Sequence, residues 1–299
     1  MRIKPTLAGH WGRRFAAALL PLLLCGCGAD KPDSPARPAM WLVQDDDTRI
    51  YLLGTMHALP RGTDWDDGAV AKAIAASDAL MMELSPRELA AAGAMFQTLA
   101  SRPAPLPIEA RLSGAALARY RALEASGGAL GGDTLDDWAV MILIGQRAAR
   151  AAALSPAAGV EKQLTDIFEA ADKPIGGLES ARSQLMLFEN LDAPTQRALL
   201  TRAAAGADDA VARVTALTAA WRRGDVAALE RMINEDVDAV PAARQAIITD
   251  RNHRWAAWAQ NRLKQPGTVL MAVGAGHLIG ADGVPAILET KGMRVTRVQ

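Results

Sequence analysis

The sequence predicts an α/β fold, with α+β as the alternative. Strands from both ends of the chain form a mixed central sheet, and a large helical insertion lies between them in the sequence. Two observations predict this class. Strand-like apolar runs lie towards both ends of the chain, whereas the long middle is rich in Ala and Leu at helical spacing. In addition, 50% of the 299 residues are hydrophobic, which suffices for the core of one large domain.

The N-terminal segment has the pattern of an export signal. Basic residues precede an apolar run, Phe15–Leu24, that is too short for an ordinary membrane-spanning helix. The run ends in LCGC, which resembles a bacterial lipobox with Cys27 as the lipid-modified residue. We therefore expect a signal peptide over residues 1–26, with plain secretion or a retained anchor as the alternatives.

Residues 27–39 are Pro-rich and polar, which predicts a tether between a lipid anchor and a folded domain over 40–299. We expect the protein in the cell envelope, anchored to the outer membrane and facing the periplasm. After cleavage Cys27 is the only cysteine, so any bound metal must use His, carboxylate or amide ligands. Lys+Arg and Asp+Glu balance at 33 each, which argues against a nucleic-acid partner.

The folded part opens with two strands, Met40–Gln44 and Arg49–Leu53, that flank an Asp-rich turn and predict a β-hairpin. We interpret the three aspartates as a solvated turn rather than an acidic metal cluster. A helix is predicted over Asp66–Ser77. The short apolar run Ala79–Met82 then predicts a buried strand that ends just before Glu83.

The chain from 86 to 155 is predicted to be helical, interrupted by the glycine-rich segment 127–132. A helix resumes after this break, with its N-cap at Asp133 or Thr134. The remaining predicted elements are the helix Lys162–Ala171, a short strand ending at Glu179, helices throughout 180–264, the strand Thr268–Val273, the helix Val284–Lys291 and the strand Arg294–Val298.

Polar side chains follow several of the predicted strands. They are His57, Glu83, Glu161, Glu179 and His277. The two histidines share a G-x-x-H context, in which the glycine allows positive φ or close backbone approach. Because ligands of open α/β sheets bind outside the carboxyl ends of the strands, these five groups are expected to share one cleft.

Two imidazoles and two or three carboxylates suit Zn²⁺, Mn²⁺, Co²⁺ or Fe²⁺, and a carboxylate left off the metal suits a general base. Structural explanations stay open beside this one. A histidine at a strand end is often only hydrogen-bonded, and Glu161 and Glu179 suit the first turn of a helix. No H-E-x-x-H or G-x-S-x-G motif is present, which excludes ordinary zincin and nucleophile-elbow sites.

Several motifs occur together in a specific order. They are YLLGTMHALP, GLES with a following Gln184, the WRxGD segment from Trp221, Arg251-Asn252, and VGAGHLIGADGVPAIL. In this order the chain resembles the TraB/GumN family, which includes the Tiki proteins, over about Trp41–Val298.

The resemblance implies a metal-dependent, membrane-tethered protease. In that family pattern His57 and His277 would be metal ligands, and Glu83 and Glu179 would be acidic partners, as ligand or general base. The resemblance also makes the following pair, Arg251 and Asn252, candidates for holding the cleft or polarising a substrate carbonyl.

These observations lead to three hypotheses of function. The first is a lipid-anchored, metal-dependent hydrolase, peptidase-like, that uses Mn, Co or Zn and acts on a peptide or small-molecule substrate. The second is a non-catalytic periplasmic binding lipoprotein for a small ligand, metal or haem. The third is a structural or interaction protein in which His57 and His277 are buried and satisfied.

Overall fold

The computed structural model describes residues 35–299, except the side chains of residues 234–237. The predicted signal peptide, Cys27 and the tether up to residue 34 lie outside the described residues. The last part of the predicted tether, 35–39, runs along the domain: Ala36 is buried and its backbone N–H donates to the carbonyl of Asp64 at 2.6 Å.

The described residues form strands that we number in chain order: β1 Met40–Gln44, β2 Thr48–Thr55, β3 Leu59–Pro60, β4 Ala79–Leu84, β5 Leu154–Ser155, β6 Ile175–Glu179, β7 Gly267–Gly274 and β8 Val295–Arg297. Their α-helices are α1 Gly68–Ala76, α2 Pro86–Leu99, α3 Gly114–Gly127, α4 Asp137–Ala151, α5 Val160–Ala170, α6 Ala181–Glu189, α7 Ala193–Ala205, α8 Ala210–Arg222, α9 Val226–Val237, α10 Pro241–Arg244, α11 Asp250–Arg262 and α12 Val284–Thr290. A π-helical turn, Gln245–Thr249, joins α10 to α11. Within 35–299, no helix combines the length and hydropathy that crossing a bilayer requires.

The central sheet has six strands in the order β6-β4-β7-β2-β1-β8. The strands β6, β4, β7 and β2 are parallel, whereas β1 is antiparallel to both of its neighbours. In register, Thr55 pairs with Gly274 and Leu84 pairs with Glu179, so the four parallel strands end at one edge of the sheet. The predicted α/β class and mixed sheet are therefore confirmed.

Helices cover both faces of this sheet. Successive residues of a strand point to opposite faces, so neighbouring residues pack in different clusters. In β2, Leu53 packs in the cluster that contains Trp221, and the preceding Leu52 packs in the cluster that contains Trp255. The helical insertion has a core of its own around Tyr120. The sheet is thus held between two packed layers of side chains, one on each face.

Several predicted boundaries are displaced by one to three residues, and two of these differences have a clear physical cause. Glu83 lies inside β4 rather than after it, because the strand continues to Leu84, which pairs with β6. The N-cap of α4 is Asp136, not Asp133 or Thr134. The carboxylate of Asp133 instead accepts a hydrogen bond from the backbone N–H of Ile108 at 2.9 Å, so it belongs to the preceding loop.

Candidate functional site

The predicted site residues gather at the edge where the four parallel strands end. Four of them come from the ends of strands: His57 follows β2, Glu83 lies near the end of β4, Glu179 ends β6, and His277 ends the 3-10 turn Ala275–His277 after β7. The other three come from the first turns of helices, Glu161 from α5 and the pair Arg251 and Asn252 from α11. The expected clustering is thus present in the backbone arrangement, and the side chains divide it into two groups.

Close backbone approach explains why His57 and Glu161 meet. The backbone N–H of Val160 donates to the carbonyl of Met56 at 3.1 Å, which holds the start of α5 against the loop after β2. A Cβ at Gly159 would lie 2.2 Å from the carbonyl oxygen of His57. Only glycine therefore lets α5 begin here, and Glu161 is brought beside the imidazole as a result.

The first group is an ion pair between an exposed imidazole and a largely buried carboxylate. Nδ1 of His57 donates to Oε1 of Glu161 at 2.7 Å, and the hydroxyl of Thr55 donates to the same oxygen at 2.5 Å. The His57 side chain is 72% exposed, whereas that of Glu161 is 16% exposed. The carboxylate of Glu161 raises the pKa of His57 through its charge and its hydrogen bond.

One oxygen of Glu161 has no partner. Burial by itself raises the pKa of this carboxyl, but the charge and hydrogen bond of His57 outweigh it and hold the pKa below its usual range. Both of the hydrogen bonds just described reach Oε1, and Oε2 is buried without a hydrogen-bond partner among the described residues. A buried, ionised oxygen without a donor is costly, so Oε2 of Glu161 is a polar atom left unsatisfied among the described residues.

The second group is organised by the guanidinium of Arg251. Nη2 donates to Oε2 of Glu83 at 2.6 Å and to Oε2 of Glu179 at 2.9 Å. Nη1 lies 2.9 Å from Nε2 of His277. Burial disfavours the charge of Arg251, yet the Glu83 and Glu179 carboxylates outweigh it and raise its pKa. One buried cation is therefore shared by two buried carboxylates.

Glu83 has a partner on each of its oxygens besides Arg251. Oε1 accepts the backbone N–H of Gly274 at 2.8 Å, and Oε2 accepts Nε2 of Gln184 at 2.9 Å. Burial raises the pKa of Glu83, but the charge that His277 carries at low pH and the charge of Arg251 outweigh it and hold the pKa well below the usual range. A carboxylate held in this way is a weak base.

Gly274, the first glycine of the G-x-x-H motif of His277, acts through close approach rather than through unusual backbone angles. Gly274 has φ of −48°, so the positive φ considered for this position is not used. A Cβ there would lie 3.1 Å from Oε1 of Glu83. The missing side chain lets the end of β7 touch the carboxylate.

His277 is buried and held as one tautomer. The side-chain N–H₂ of Asn252 donates to the carbonyl of Asp282 at 2.7 Å, which turns Oδ1 of Asn252 towards Nδ1 of His277, also at 2.7 Å. Nδ1 therefore carries the proton, and Nε2 accepts from Arg251. Burial lowers the pKa of His277 to about 4, so the ring is neutral at pH 7.

Other residues of the site were missed as functional groups by sequence reasoning. They are Thr55, which bonds Glu161, Gln184, which bonds Glu83, Trp255, whose ring centroid lies 4.5 Å from that of His277, and Arg254, which lies 3.4 Å from Glu179. Gln184 was noted only as part of the GLES motif. Its place on the first turn of α6, directly after β6, was the signal that it faces the strand end.

As arranged, the described residues contain no group of three or more His, Cys, Asp or Glu side chains that could hold a metal ion. Arg251 accounts for this, because it binds Glu83, Glu179 and His277 at once. The two groups are still electrostatically linked, since the charge of His57 contributes to lowering the pKa of both Glu83 and His277.

Comparison with known proteins gives one match. The model of the TraB/PrgY/gumN family matches residues 39–297, which is most of the chain. This match confirms the resemblance inferred from the motifs. No curated protein and no solved structure matches the chain.

Proposed function

The chain belongs to the TraB/PrgY/gumN family, and we propose that it is a lipid-anchored, metal-dependent hydrolase of the cell envelope that cleaves peptide or similar amide bonds. One observation carries the proposal. A solvent-exposed imidazole, His57, is held by the buried carboxylate of Glu161 at the sheet edge where a buried arginine binds two further carboxylates. Paired imidazole and carboxylate groups beside a fixed positive charge suit hydrolysis of a polarised carbonyl.

The donor set fits a divalent ion in kind. Each histidine has its Nδ1 bound to an acceptor, Glu161 or Asn252, which leaves Nε2 as the ligand atom, as is usual for metal-binding histidines. We assign Nε2 of His57 and Nε2 of His277 to hold Mn²⁺, Co²⁺ or Zn²⁺, with Glu161 orienting the His57 ring through Nδ1. Nε2 of His277 must exchange its bond to Arg251 to do so. Such an ion supplies an activated water and polarises a carbonyl.

The remaining groups position the site. Glu83 and Glu179 are bound to Arg251, so we assign them to holding this cation rather than to the metal or to proton transfer. Arg251 is then a fixed, buried positive charge beside the site. Asn252 keeps His277 in the tautomer whose Nε2 carries the lone pair.

A second candidate function is the non-catalytic binding lipoprotein. It is favoured by the absence, within residues 35–299, of three acidic or histidine side chains that already converge on one point. In that case the exposed imidazole of His57 would bind the small molecule, metal or haem. Hydrolysis of any peptide by the protein, dependent on His57, would remove this candidate.

The test is cleavage of a defined peptide mixture by the full-length protein, read by mass spectrometry with and without Mn²⁺, Co²⁺ or Zn²⁺. We expect metal-stimulated cleavage that His57→Ala abolishes. His253→Ala is the matched control, since His253 is an exposed histidine of α11 outside the site. No cleavage by the wild type, or equal cleavage by His57→Ala, would contradict the proposal.

The anchor is tested separately. We propose that Cys27 carries the lipid and holds the protein at the outer membrane, facing the periplasm; the support is the LCGC sequence. Cys27→Ala is expected to abolish labelling by a radioactive fatty acid and to release the protein from the membrane fraction. Cys25→Ala, two residues away, is the control and keeps both. Labelling that survives Cys27→Ala would refute the assignment.

A further inference from the structure

A groove lies beside the site and, apart from Arg254, is lined by residues other than the site residues described above. It runs between α6 and the segment from the π-helical turn into α11, with a volume of about 360 Å³. Its floor is apolar and is formed by Met186, Leu187, Leu191 and Ala246. This volume lies at the lower end of the range of small-ligand sites, about 300–1,000 Å³, which suits one side chain and its adjoining backbone.

The groove and the site share their supporting elements. The helix α6 sends Gln184 to Glu83 on one side and Ser183, Met186 and Leu187 into the groove on the other. Arg254 lines the groove while its Nη2 lies 3.4 Å from Oε1 of Glu179. A molecule bound in the groove would therefore lie beside Arg254, which contacts Glu179 of the cluster around Arg251.

The rim of the groove carries no net charge. Asp250 and Arg254 lie four residues apart on α11 and have opposite charges, and both side chains line the groove. Arg254 is 54% exposed, so it can donate to a ligand. Ser183 and Asn190 add neutral donors and acceptors. Alternating donors and acceptors above an apolar floor suit a peptide backbone that carries an uncharged side chain.

We propose that this groove is the subsite for a large apolar side chain of a peptide substrate, next to the bond that the site cleaves. This proposal rests on the proposed hydrolytic function, because only a hydrolase would take the bound peptide as a substrate. The bound class is a neutral peptide segment with Leu, Met or Phe over Met186 and Leu187. Acidic and basic side chains are disfavoured on the floor, which offers them no partner, and the opposite charges of Asp250 and Arg254 on the rim favour neither sign.

The experiment measures binding apart from cleavage. Capped pentapeptides with two alanines on each side of Leu, Phe, Trp, Gly, Asp or Lys are titrated into the full-length protein and followed by ligand-observed NMR. Leu and Phe peptides are expected to bind at least tenfold more tightly than Gly, Asp and Lys peptides. Ala246→Leu fills the groove and should remove this preference. Ala242→Leu, the same change at an exposed position of α10, should keep it.

A second variant guards against a folding defect. Met186→Ala widens the floor, so the Trp peptide should gain affinity relative to the Leu peptide. Equal binding of all peptides by the wild type, an unchanged preference in Ala246→Leu, or no gain for Trp would each overturn the subsite. Peptides that bind in this pattern but are never cleaved would instead contradict the hydrolytic function and leave the groove as a peptide-binding site.

Discussion

The two histidines have nearly the same sequence context and opposite surroundings. The side chain of His57, which follows β2, is 72% exposed, whereas the whole residue His277, which follows β7, is only 6% exposed. A carboxylate holds Nδ1 of the first ring and an amide oxygen holds Nδ1 of the second. Accordingly the pKa of His57 is raised by Glu161, and burial lowers that of His277 to about 4.

This difference teaches that a G-x-x-H motif fixes where an imidazole stands but not its charge. The charge is set by what packs around the ring: an anion beside His57, and the Trp255 ring and a cation beside His277. An exposed, charged imidazole and a buried, neutral one are suited to different tasks. In the proposed site, His57 would supply the solvent side and His277 the interior side.

The largest effect is expected where the interior side is broken. Arg251→Met leaves the carboxylates of Glu83 and Glu179 buried without their cation, which costs about 3–5 kcal/mol in the free energy of unfolding. Arg254→Met is the matched control: its contact with Glu179 is longer and its side chain exposed, so the loss stays below about 1 kcal/mol. Urea unfolding of both variants measures this, and equal losses would mean that Arg251 does not hold the interior together.

A smaller effect is expected from the amide that orients His277. Asn252→Leu leaves Nδ1–H of His277 and the carbonyl of Asp282 without partners in a buried place, a cost of about 2 kcal/mol in the free energy of unfolding. Asn261→Leu, at an exposed position of the same helix, should change it by less than about 0.5 kcal/mol. Urea unfolding of the two variants decides, and the account fails here if they are equally stable.

The smallest effect on stability is expected on the solvent side. Glu161→Gln removes the anion beside an exposed ring, so unfolding changes by less than about 1 kcal/mol. The pKa of His57, however, should fall towards its ordinary value, because Glu161 is the main cause of its rise. NMR titration of the chelator-treated protein measures this. Glu169→Gln, an exposed position of the same helix, should leave the pKa of His57 in place, and a pKa unmoved by Glu161→Gln would contradict the pairing.

Much of the sheet could be predicted from the sequence, because strand-like runs and their terminal glycines are local signals. The strand β1 lies where it was predicted, at Met40–Gln44. The end of β4 was missed because Leu84 is held by pairing with Glu179, a contact between distant segments. Local patterns carry no information about such a pairing.

The gathering of the site residues followed from the rule that loops converge at the carboxyl edge, but their division into two groups did not. That Glu161 binds His57 depends on the approach of Gly159 to the carbonyl of His57. That Arg251 binds both other carboxylates depends on how α11 packs on the sheet. Neither spacing nor composition encodes these contacts, which form only when the helices dock.

The central claim is that both histidines serve one metal-binding site, and ion titration by calorimetry tests it most directly. The full-length protein, stripped with chelator, is titrated with Mn²⁺, Co²⁺ and Zn²⁺ as wild type, His57→Ala, His277→Ala and the surface control His253→Ala. The account predicts one ion per chain in the wild type and the control, and none in either site variant. A wild type that binds no ion, or a site variant that still binds one ion per chain, would contradict it.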